Sequence, residues 1–132
     1  MIPYAGHPYE GIDGVYVPSA TDPIANGWPH FEHKSGTWHL YRGADNIWRV
    51  SSNFLPDQTN SFCYAPASED GLVPVGTSTW QVCPDGQTYV TGDLTVGFAS
   101  KADYQAHRDR SRQEFANAVV LITGMATWCH CH

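Results

Sequence analysis

Three segments of the chain share an apolar beat of two: Trp38-His39-Leu40, Trp48-Arg49-Val50 and Trp80-Gln81-Val82. In each, a Trp and an aliphatic residue flank a polar one. That is the period of a half-buried β-strand, whose alternate side chains point to one face. The surrounding pattern predicts short strands over 14–18, 29–33, 37–42, 47–52, 61–65, 79–83, 88–91 and 94–99. Turn chemistry punctuates them. Asn26-Gly27 precedes the second strand, Ser35-Gly36 separates the second and third, and Gly43-Ala44-Asp45-Asn46 separates the third and fourth. Pro84-Asp85-Gly86-Gln87 has the residues of a type I turn with a bulge. Short connections and the lack of any βαβ pattern indicate a mostly β fold, a small antiparallel sandwich or barrel of about seven or eight strands.

After residue 99 the pattern changes, and it predicts one C-terminal α-helix. Ser100-Lys101-Ala102-Asp103 has the form of a capping box, with Asp in place of the usual Glu or Gln. No Pro or Gly follows until Gly124, a natural stop, so the expected helix covers 100–124. Its first half is polar, with Asp103–His107 and Arg110–Glu114 at the spacing of side-chain pairs. Its second half, from Phe115 to Ile122, is apolar nearly all round. Such a surface calls for a cover, supplied either by the protein's own sheet or by another chain. The expected organisation is an N-terminal arm over 1–13, rich in Pro, Gly and Tyr, then a β-domain over 14–99, the helix, and a Cys/His tail over 125–132.

At 132 residues the chain has the size of one domain, able to bury a core of its own. Hydrophobic content of 42% with 13% aromatic excludes a disordered chain. The net charge of −6 argues against nucleic acid or an anionic membrane surface as partner. The acidity is in the body: residues 1–100 hold three Lys and Arg against ten Asp and Glu, while residues 101–132 are nearly balanced. The run from Phe115 to Ile122 is too short to span a bilayer. The opening Met1-Ile2-Pro3-Tyr4 is not a basic and then apolar leader, which reads as a cytoplasmic chain or a processed one.

The cysteines form two unlike pairs. Cys63 and Cys83 each fall in an expected strand, where they are either a bridge or two buried thiols. A bridge favours an organelle lumen or the extracellular space, thiols the cytoplasm. Cys129, His130, Cys131 and His132 are all zinc-type donors, and metal binding through them is one reading of the tail. Consecutive residues of an extended chain point to opposite sides, however, so two of them would need partners elsewhere, such as His30 and His33. No cofactor-binding or catalytic motif is present. His30 and Glu32 share one parity of their strand and Phe31 and His33 the other, so the two His face opposite sides.

Gly14-Val15-Tyr16, Asn26-Gly27-Trp28-Pro29-His30-Phe31, Trp38-His39-Leu40-Tyr41-Arg42, Asn46-Ile47-Trp48-Arg49-Val50 and Thr79-Trp80-Gln81-Val82 follow in order. This string resembles a small Trp-rich β-domain that recurs, often in tandem, in uncharacterised proteins of algae and other protists. The resemblance covers about residues 14–98 and leaves out the arm, the expected helix and the tail. It implies a β fold and a non-catalytic role.

Two functional expectations follow. The first is a structural or interaction module, an accessory subunit docking on a larger protein assembly through Phe115, Val119, Val120, Leu121, Ile122 and Trp128. The second is a carbohydrate-binding β-domain using Trp28, Tyr41, Asp45 and Tyr64. Sugar sites of that kind set exposed aromatic faces beside carboxylates.

Overall fold

The computed structural model describes residues 12–57, 61–66, 72–83, 89–108 and 117–124. Eight strands close an antiparallel barrel: β1 (Gly14–Pro18), β4 (Phe31–His33), β5 (His39–Arg42), β6 (Trp48–Ser51), β7 (Cys63–Tyr64), β8 (Gly76–Val82), β9 (Val90–Phe98) and β10 (Val120–Thr123). Each strand pairs with the next around the barrel, and β10 closes it by pairing with β1. A separate two-stranded ribbon, β2 (Ile24–Ala25) and β3 (Trp28–Pro29), is inserted between β1 and β4. One helix, α1 (Lys101–Arg108), lies between β9 and β10.

Alternation fills the barrel. Tyr16, Phe31, Leu40, Trp48, Val50, Cys63, Trp80, Val82, Leu94, Val96, Val120 and Ile122 are all buried in one continuous core. The two Trp and the Tyr are among the largest fully enclosed side chains. Each can remove about 200 Å² from water, so a few of them fill a small barrel. The ribbon turns at Asn26-Gly27, whose φ values of 52° and 82° are the two positive angles that a two-residue hairpin turn requires. Asn46, at φ 65°, ends the turn between β5 and β6.

The long helix expected over 100–124 is corrected. Helix α1 is described over Lys101–Arg108, residues 109–116 lie outside the described residues, and residues 120–123 form the strand that seals the barrel. The start of the helix matches expectation: Ser100 Oγ accepts the Asp103 N–H at 3.1 Å. The Asp103 carboxylate accepts the Val119 N–H at 3.1 Å and so ties the helix to the approach of β10. Ala106 and His107 are buried, and His107 Nε2 accepts the Val73 N–H at 3.1 Å. The end of the apolar run, from Val120, forms a strand because β1 and β9 each need a partner on their free edge. Val120 pairs with Tyr16 and Phe98, and Ile122 with Gly14 and Val96. The expected strands over 88–91 and 94–99 are one, β9, paired with β8 from Val82↔Val90 to Gly76↔Val96. The loop at 84–87 and the Arg110–Glu114 pair lie outside the described residues.

Candidate functional site

The interior is occupied by side chains, so the chemistry that remains is on the outer wall of β4 to β7. Antiparallel pairing aligns Glu32 with His39 and Ser51 in one row, and Tyr41 with Arg49, Tyr64 and Gln81 in the next. Two clusters grow on these rows.

The first is an aromatic layer over β5. His30, just before β4, is almost wholly buried at 1% exposure. Its Nδ1–H donates to the Asp22 carbonyl at 2.6 Å, since a carbonyl only accepts. In the neutral ring Nε2 is then the acceptor, so His39 Nδ1 must carry the proton it shares with His30 at 2.9 Å. Phe54 stacks on the His30 ring at 3.8 Å and 5°, and meets Tyr41 edge-on at 5.1 Å. The Tyr41 hydroxyl donates to the Asn53 carbonyl and accepts the Leu55 N–H. Asn26 Nδ2 donates to the carbonyls of Arg42 and Pro56, fastening the ribbon tip to the same layer. Glu32 Oε1 stands 3.9 Å from His39 Nδ1. Burial lowers the pKa of His30, and the Asp22 carbonyl offsets it only partly, while His39 lowers it further. Burial also lowers that of His39, against the opposing pull of Glu32 and Asp22. Both rings therefore favour the neutral form.

The second cluster stands on β6 and β7. The Arg49 side chain is buried and holds Asp45 Oδ2 in an ion pair, donates to Ser61 Oγ at 2.9 Å, and lies 5.0 Å over the Tyr64 ring. Tyr89 meets Tyr64 edge-on at 5.1 Å, its hydroxyl donating to the Ser61 carbonyl. Asp45 Oδ1 accepts the Ile47 N–H at 3.3 Å. Burial raises the Asp45 pKa, but the Arg49 hydrogen bond and charge outweigh it and hold the carboxyl below its usual value. The result is an anionic acceptor beside two tyrosine rings, with the Tyr89 ring open to solvent.

The structure separates the residues expected to bind sugar. Asp45 and Tyr64 come together on Arg49, whereas Trp28 and Tyr41 are buried and offer no face. Trp28 packs edge-on against Trp48 at 6.2 Å, under the Arg42 guanidinium. The residues expected to dock on a partner are also corrected. Val120 and Ile122 are wholly enclosed in the barrel, and Val119 and Leu121 are half-buried on or beside the same strand. Phe115 and Trp128 lie outside the described residues. Cys63 and Cys83 are not bridged to each other. Cys63 pairs with Val82, so Cys83, one residue on, starts from the opposite face of the sheet. The tail donors Cys129, His130, Cys131 and His132 lie outside the described residues. His33, an expected partner for them, has Nε2 on the Asp13 carbonyl and Nδ1 on the Ser35 N–H. Among the described residues, no group of three or more His, Cys, Asp or Glu is arranged to hold a metal ion, and no helix is long and apolar enough to cross a membrane.

Sequence reasoning missed Arg49, Tyr89, His39 and Phe54. Outward parity marked Arg49 and His39 as polar-face residues. Their partners Asp45, Tyr64 and His30 needed the strand register, and Phe54 stands in a segment without periodicity. No family model, curated protein or solved structure matches the chain.

Proposed function

We propose that this protein is a non-catalytic recognition module that binds carbohydrate on the outer wall of its barrel, at Tyr64, Tyr89 and Asp45. One observation carries the reading: Tyr64 and Tyr89 pack edge-to-face beside a carboxylate that Arg49 holds in place. A pyranose presents a C–H face to an aromatic ring and adjacent hydroxyls to a carboxylate, and this patch offers both. Arg49 is the support: it fixes Tyr64 from below and keeps Asp45 ionised. Gln81 and Thr91, next along the same row, add amide and hydroxyl groups at the rim. Of the residues expected to dock on a partner, Val120 and Ile122 spend their side chains on the barrel interior, which favours the carbohydrate reading. The Trp-rich β-domain resemblance is compatible with this role, since it also implies a role without catalysis.

The test is a heteronuclear NMR titration against a panel of neutral and acidic oligosaccharides, followed by calorimetry on any hit. Binding should shift the Tyr64 and Tyr89 ring signals, and Tyr89→Ala should weaken it about tenfold, roughly 1.4 kcal/mol. Silence across the panel, or binding unchanged by Tyr89→Ala, refutes the assignment.

A further inference from the structure

The carbohydrate patch leaves the His30–His39 contact unexplained, and that contact has an unusual proton capacity. His30 Nδ1 is committed to the Asp22 carbonyl, so the pair meets nitrogen to nitrogen at 2.9 Å with room for one hydrogen between. One added proton fits, on the outer nitrogen of His39, with the bridging hydrogen shared between the rings. A second would place two N–H groups head to head, and the contact must break. Separated in water, each ring takes a proton near pH 6.5.

We propose that the His30–His39 pair is an acid-opened latch that holds residues 19–30 and 52–57 against the outer face of β5. The ring of His30 is the common point of that layer. It bonds the 22–23 segment, meets β5 through His39, and stacks on Phe54. Its own backbone bonds the same segments, the N–H donating to the Pro23 carbonyl and the carbonyl accepting the Ser19 N–H, each at 2.9 Å. Behind the latch lies Tyr41, fully buried in the closed form and capped edge-on by Phe54. Opening exposes an aromatic face that neutral pH conceals.

The charged and titratable groups facing the pair are Asp22 from the ribbon approach, Glu32 on β4 and Tyr41 on β5; Phe54 brings no charge. Glu32 and Asp22 both favour a charged His39, yet burial prevails and the neutral form is kept. The sign follows from proton counts. The closed layer binds at most one extra proton and the open layer two, so closure is fully stable above pH 6.5 and weakens as pH falls below it. Each unit below that point raises the open population about tenfold for every proton taken up.

Hydrogen exchange of the full chain from pH 8 to pH 5, corrected for intrinsic rates, tests the latch. The Ser19, His30 and Leu55 amides should lose protection by about tenfold per pH unit below roughly 6 relative to the β8 and β9 amides. His39→Gln removes the conflict, because an amide can turn to donate or accept, and it should flatten that dependence. His30→Phe keeps the stack on Phe54 without any titrating group and should flatten it too. Should neither variant fold, imidazole ¹⁵N shifts of the native chain decide. Both rings doubly protonated while the layer amides stay protected would overturn the proposal. So would a native profile that is flat relative to β8 and β9, or a His39→Gln profile as steep as the native one.

Discussion

Replacing Ile122 with Ala probes the point on which the fold turns. Ile122 is fully enclosed between Gly14 of β1 and Val96 of β9. The change removes three carbon atoms, about 2.4 kcal/mol of transfer at roughly 0.8 kcal/mol each. A cavity cost follows, because the barrel wall cannot close inward on both sides, and the total is about 3–4 kcal/mol. Val120→Ala removes two carbons from the same interior and should cost about 2 kcal/mol. Leu121 stands between them on the outer wall, half-buried, and Leu121→Ala should cost about 1 kcal/mol. Urea unfolding followed by Trp fluorescence reads all three, since Trp48 and Trp80 are in the same core. The diagnostic is the alternation. Residues two apart lie on one face of a strand but about 200° apart around a helix, so a helix cannot make both Val120 and Ile122 costly and spare Leu121. Equal costs at all three positions, or a greater one at Leu121 than at Ile122, would refute the strand and with it the closure of the barrel.

Two further outcomes follow from the structure. The buried Cys63 thiol, which burial pushes well above its usual pKa, should resist thiol reagents until the chain unfolds; labelling of Cys63 in the folded protein would contradict this. Gly14→Ala should destabilise by about 1–3 kcal/mol in the urea assay, because its φ of +140° disfavours a side chain and the added carbon would stand 2.5 Å from His33 Nε2; a neutral result would mean the His33 bond to Asp13 is dispensable.

The strands with local alternation were legible residue by residue. Strand β1 falls on the expected 14–18, and β4, β5, β6 and β7 lie within their expected ranges. A Trp two positions from an aliphatic residue marks one buried face whatever lies across from it. The turn at Asn26-Gly27 was legible for a similar reason, as two successive positive φ angles are a local steric demand, whereas the strand Ile24–Ala25 before it was not expected. The segment at 120–123 was not legible in the same way. A continuous apolar run has no period to choose between helix and strand, and the helical start at Ser100 lent its bias to everything after it.

Half of the proposed carbohydrate patch was visible as well. Asp45 and Tyr64 were two of the four residues expected at a sugar site, and register brings them to the same guanidinium. Trp28 and Tyr41 had equal claims by composition, and only the layer of Phe54 and the ribbon shows them covered.

The amino-acid sequence alone determined that this is a small, acidic, mostly β chain with Trp-anchored strands and a helix capped by Ser100, because those properties rest on local sterics and period. Tertiary structure decided that 120–123 is a strand, that Cys63 and Cys83 do not bridge, and that His30 meets His39. Each of those depends on which strand edge lies alongside which, and in a barrel that is settled only when the last strand meets the first.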